Sequence, residues 1–145
     1  MTRIDDGVFH LQNAKKCEEN KDYFGARVEF IKAIESFRQA ETLEYENEAK
    51  TDFSNFVKKD PFYKQFSKIL LVEIQRHPGI LQSEITKRFD SGTWADLYVY
   101  DRPILKDDIY YVLRFAEEFN LIAREKTGRS YKLYPKTGSI TNDNE

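Results

Sequence analysis

The chain has 145 residues, of which 40% are hydrophobic and 14% aromatic, enough for a packed core and too short for a multidomain enzyme. Its 23 Lys and Arg against 25 Asp and Glu leave a net charge of −2, so strong overall polyanion or polycation character is excluded. One cysteine, Cys17, cannot form an internal disulfide, and with only His10 and His77 beside it no zinc-ligand spacing exists.

In chain order, the first helix is predicted over Phe9 to Glu19, with Leu11, Ala14 and Cys17 on its inner face. Asn20-Lys21-Asp22 breaks it. A second helix starts near Tyr23, where Tyr23, Ala26, Phe30 and Ala33 are spaced three, four and three apart. From Gln39 to Asp52 five acidic residues, Glu41, Glu44, Glu46, Glu48 and Asp52, surround only Leu43, Tyr45 and Ala49, the pattern of a solvated helical face or a linker. Spacing alone leaves open whether residues 23–58 form one helix or two. Asp60-Pro61 then supplies a helix start, and Phe62, Phe66, Ile69, Leu70, Val72 and Ile74 make a broad apolar face up to Arg76.

Pro78-Gly79 ends that helix, Ile80-Leu81 suits a short strand, and a further helix follows to Phe89. Leu81 precedes this helix and cannot accept a hydrogen bond, so its cap is expected from Ser83 or from water, with Glu84 in the first turn. Residues 90–103 are too long for a simple turn; Leu97-Tyr98-Val99-Tyr100 has strand-like composition, and Trp94 is the only tryptophan. The segment reads either as a loop over the core plugged by Trp94 or as an inserted recognition or dimer element. Ile109, Val112, Leu113, Ala116 and Phe119 recur at helical spacing, and Asn120 tolerates the left-handed conformation that closes a helix. Beyond it the period becomes two: Leu121, Ala123, Tyr131 and Leu133 are expected to face inward across a turn at Thr127-Gly128-Arg129. Ile69, Leu70, Ile85, Ile109, Leu113, Leu121 and Leu133 are the expected core.

From Asp60 to Pro135 this order of helix, short strand, helix, helix and hairpin resembles the winged helix-turn-helix family. Pro78-Gly79-Ile80-Leu81-Gln82-Ser83-Glu84-Ile85 and the link from Phe115 to Ile122 carry the likeness. The N-terminal hairpin is similar to a single tetratricopeptide unit through Ala14, Ala26, Phe30 and Ala33, but Arg38 replaces the usual proline and no second copy follows, which excludes an array. The expected fold class is mainly α with a small β-hairpin (α+β). Its expected division is a helical region at 1–59 for dimerisation or partner binding, a winged-helix domain at 60–135, and a flexible tail at 136–145.

The resemblance implies binding of double-stranded DNA by a transcriptional regulator, through the third helix of the domain and a basic wing. On the helix the exposed positions would be Lys106, Asp107, Tyr110, Tyr111 and Arg114; on the wing, Arg124, Lys126 and Lys132 would share the outer face, with Arg129 at the tip. Charge agrees: residues 1–60 hold 10 basic and 13 acidic groups, a net −3, whereas 121–136 hold five basic groups against Glu125, a net +4. Asp107 and Asp108 oppose it, since carboxylates at the helix start repel phosphate. The alternative is a protein-protein adaptor that uses the helical hairpin and the winged helix for contacts.

Two short helices cannot cover Phe30, Ile34, Phe37, Phe53 and Phe56, so a homodimer through these residues is expected. No glycine-rich phosphate loop or nucleophile elbow is present. The adjacent carboxylates Asp107-Asp108 and Glu117-Glu118 would point about 100 degrees apart on a helix. The expectation is a protein without catalytic activity, cofactor or metal. The longest apolar run, Ile69-Leu70-Leu71-Val72, is too short for a bilayer, and Met1-Thr2-Arg3-Ile4-Asp5-Asp6 lacks a signal region, so a cytoplasmic location without a membrane partner is expected.

Overall fold

Among the described residues, three other than glycine take left-handed backbone angles and set the helical corners: Lys21 (φ 62°), Glu41 (φ 56°) and Asn120 (φ 63°). The computed structural model describes residues 3–89 and 104–136; the segment with Trp94 and the tail beyond 136 lie outside the described residues. It divides into two units, Met1–Pro61 and Phe62–Glu145.

The first unit contains α1 (Arg3–Glu19), α2 (Tyr23–Gln39) and α3 (Leu43–Val57). At the α1 corner, Asp22 N–H donates to the Cys17 carbonyl at 2.8 Å and Lys21 N–H to Glu18 at 3.0 Å. At the α2 corner, Thr42 N–H donates to Phe37 and Glu41 N–H to Arg38, both at 3.1 Å. Both are the paired closing bonds that satisfy the last carbonyls of a helix when the chain passes through a left-handed residue. Asp22 then caps α2, its carboxylate accepting from Gly25 N–H at 3.0 Å.

Residues 23–58 are therefore two helices, and the second folds back onto the first. Phe30 stacks on Phe53 at 5.3 Å and meets Phe56 at a tilt at 5.4 Å, while Phe37 stacks on Tyr45 at 5.5 Å. Phe30, Ile34, Phe37, Phe53 and Phe56 are all buried within one chain, which removes the basis for a homodimer seam through them. The missing cover is α3. Ala14, Ala26, Ala33 and Ala49 are fully buried, where small side chains let helices approach closely. Gly7 lets α1 approach α2 closely: a Cβ there would lie 2.4 Å from a Phe37 ring carbon. Ion pairs tie α1 to α3 and to the turn after it, Lys15 to Asp52 at 3.6 Å and Glu18 to Lys59 at 3.0 Å.

The second unit runs α4 (Pro61–Arg76), β1 (Ile80–Leu81), α5 (Gln82–Phe89), α6 (Lys106–Glu118), β2 (Ile122–Thr127) and β3 (Ser130–Pro135). Both sheet pairings are antiparallel and the strand order is β1-β3-β2. The chain as described is mainly helical with this one small sheet. Leu70, Ile85, Ile109, Leu113 and Leu133 are buried as expected, joined by Phe66, Val112, Phe115 and Ile122. Ile69 and Leu121 are only half-buried.

Leu121 is displaced because it belongs to the corner. Its N–H donates to Ala116 at 2.8 Å and Asn120 N–H to Glu117 at 3.0 Å, so the strand begins one residue later, at Ile122. A shift of one residue exchanges the two faces of a strand. Ile122, not Leu121 or Ala123, therefore points inward. The cap of α5 also differs: Ser83 N–H donates at 3.3 Å to the hydroxyl of Ser130, which crosses from β3.

Candidate nucleic-acid interface

Helix α6 buries Ile109, Val112, Leu113, Phe115 and Ala116, leaving Lys106, Tyr110 and Arg114, four residues apart, on a single solvent-facing stripe. The Lys106 ammonium lies 5.9 Å from the centre of the Tyr110 ring. The Arg114 guanidinium lies 5.1 Å from that of Phe115, its apolar stem laid along the helix.

Tyr111 does not belong to this stripe. It is 7% exposed and packs edge-on against Phe115 at 5.5 Å and Tyr63 at 6.5 Å. The buried face of α6 is wide enough to include it, because α4 presents Tyr63 on that side. The paired aspartates also part company. Asp108 is 2% exposed and its carboxylate accepts from Leu105 N–H at 2.8 Å, satisfying a backbone donor at the helix start. Only Asp107 faces solvent.

In the hairpin, Thr127 pairs with Ser130, so Gly128-Arg129 is the two-residue loop. Gly128 has a φ of 59° while Arg129 does not have a positive φ, the arrangement that favours glycine at the first loop position. Arg129 is exposed at the tip. The register places Arg124 opposite the buried Leu133, Lys126 opposite Tyr131, and Lys132 opposite Glu125. Arg124 and Lys126 thus share the inward face, and Lys132 lies on the other one; the expected common basic face of Arg124, Lys126 and Lys132 does not form.

Arg124 is a clamp. Its Nε donates to Glu117 Oε1 of α6 at 3.0 Å with Nη2 in ion-pair contact with the same oxygen at 2.9 Å, Nη1 donates to Gln82 Oε1 of α5 at 3.3 Å, and its guanidinium lies 4.7 Å from the centre of the Tyr131 ring. One side chain ties α5, α6 and both long strands together. Glu117 and Gln82 as its partners escaped the sequence reading, since the inward turn of Arg124 depends on the one-residue register shift.

The described residues of the second unit carry 12 Lys and Arg against 7 Asp and Glu, a net +5. Over the whole of residues 61–145 the net charge is +1, with Asp90, Asp96, Asp101, Asp143, Glu145 and Arg102 outside the described residues. Most acids in the described part are engaged: Glu73 and Glu84 with Arg88, at 2.9 and 3.5 Å, Glu117 with Arg124, Asp108 with the Leu105 amide. Lys87, Lys106, Arg114, Lys126 and Arg129 are exposed.

Among the described residues no group of His, Cys, Asp and Glu could hold a metal ion, and no helix is long and apolar enough to cross a membrane. Neither a family model, nor a curated protein, nor a solved structure matches the chain.

Proposed function

We propose that the second unit is a winged-helix DNA-binding module and that the protein regulates transcription. The observation that carries the reading is the stripe Lys106, Tyr110 and Arg114 on α6 followed directly by a hairpin bearing Lys126 and a tip arginine, Arg129. The order of elements and the β1-β3-β2 sheet support it. α6 enters the major groove, where Arg114 and Lys106 reach phosphate or guanine and the Tyr110 hydroxyl reaches phosphate. Arg129 follows the adjacent minor groove or backbone, and Lys126 adds a phosphate contact. Arg124 positions the wing and Tyr111 supports the helix from within; neither touches DNA.

Fluorescence anisotropy with mixed-sequence duplex fragments at two salt concentrations tests this. Four cationic contacts give a slope of log affinity against log salt of about −3 to −4. Binding that does not exceed background at moderate salt would end the DNA reading. In its place stands the adaptor, favoured by the exposed Leu105 and Tyr110 beside Asp107 at the start of α6; it gives a flat DNA signal and loss of a protein partner on Tyr110→Ala.

A further inference from the structure

Helix α4 carries a second surface, separate from α6 and the hairpin. Lys68, Ile69, Val72, Glu73 and Arg76 of α4, with Phe89 at the end of α5, line a groove of about 480 Å³. Its floor is apolar: Val72 is 43% exposed, beside Ile69 and Phe89. The ring of Phe89, 2% exposed, packs edge-on against Phe66 at 5.6 Å and backs this wall. Lys68 and Arg76 stand at the two ends, eight residues and hence about 12 Å apart along the helix, with Val72 midway. Neither has an ion pair among the described residues. Among the described lining residues the one acid, Glu73, is already engaged, by Arg88 at 2.9 Å and with His77 at 3.9 Å.

We propose that this groove binds an acidic amphipathic helix: one or two large apolar side chains on Val72, Ile69 and Phe89, flanked two turns apart by carboxylates that meet Lys68 and Arg76. Charge complementarity decides the sign of the occupant. Its apolar floor decides the class, because a nucleic-acid backbone would leave Val72 uncovered. Such helices present anchors at i, i+3, i+4 and i+7, and the basic rim excludes basic partners. The proposal is independent of DNA binding, which uses other elements.

The probe is a synthetic helical peptide of about four turns, with leucines at i+3 and i+4 and glutamates at i and i+7. Its twin has lysine at both glutamate positions. Titrated into the full chain, the acidic peptide binds with a micromolar dissociation constant and its lysine twin at least ten-fold more weakly. Val72→Glu, an exposed position that leaves the fold intact, abolishes binding without changing DNA anisotropy. The double change Lys68→Glu with Arg76→Glu reverses the preference, so that the lysine peptide now binds better; this rescue separates recognition from misfolding. Equal binding of the two peptides, or none, overturns the proposal. So does displacement of the peptide by duplex DNA. Self-association removed by Val72→Glu would assign the groove to a second copy instead, and a change in Trp94 emission on the same substitution, without peptide, to residues 90–103 of the chain itself.

Discussion

Replacing Arg124 with alanine distinguishes a clamp from a phosphate contact. The change deletes a hydrogen-bonded ion pair to one carboxylate oxygen of Glu117, one hydrogen bond to Gln82, and the contact with the Tyr131 ring. Glu117 keeps 40% of its side chain in solvent and can rehydrate, so the heavy penalty of a stranded buried charge does not arise. The ion pair contributes about 1 kcal/mol, and the Gln82 bond and the stacking about 0.5–1 kcal/mol each before overlap. A loss of about 2 kcal/mol follows, which moves a urea midpoint followed by circular dichroism well beyond error. In DNA titrations Arg124→Ala weakens binding by misplacing the wing but keeps the salt slope. Arg129→Ala, at the exposed tip, leaves stability unchanged and lowers the slope by about one. Arg124→Lys keeps the charge and loses the two-pronged geometry, so it behaves like alanine in stability. An unchanged urea midpoint for Arg124→Ala, together with a slope lower by about one, would refute the clamp.

Gly7→Ala forces a methyl group to within 2.4 Å of the Phe37 ring and should cost about 1–3 kcal/mol despite alanine's better helix propensity; a stabilised variant would show that the ring moves freely. Glu41→Gly relieves a left-handed glutamate and should stabilise the first unit by about 0.5–1 kcal/mol net of the entropy glycine adds to the unfolded chain; thermal melting that shows a loss would contradict the corner geometry. Glu46 is held below the usual carboxylate range, first by its hydrogen bond with Lys50 and then by that with Arg38, with burial opposing. Its depressed pKa stabilises the fold above the unfolded value and that contribution fades as pH falls through the folded one. Glu46→Gln should therefore lower stability at neutral pH and flatten the acid limb of the urea midpoint; parallel curves for the two proteins would exclude the linkage.

Two single residues account for where the sequence was readable and where it was not. Asn120 announces a left-handed helix end, and α6 closes there with the expected bonds. Glu41 does the same mechanical job between α2 and α3 with nothing in its chemistry to announce it, since a glutamate costs energy in that conformation and is chosen against at such corners. That hidden corner leaves residues 23–58 ambiguous. Without a separate α3, the phenylalanines of α2 have no cover, and an interface between chains becomes the economical inference; with α3 folded back, the same rings are core. The hairpin shows the converse. Its turn is legible from Gly128, but the face of each basic side chain depends on whether Leu121 ends the corner or begins the strand, and alternation alone cannot locate that boundary. The corner takes Leu121 because its amide closes α6 on Ala116. Arg124 is thereby turned onto Glu117 and out of the basic face, so part of the charge that suggested a wing in sequence holds the hairpin in place, and the proposed DNA contacts rest on Lys106, Arg114, Lys126 and Arg129.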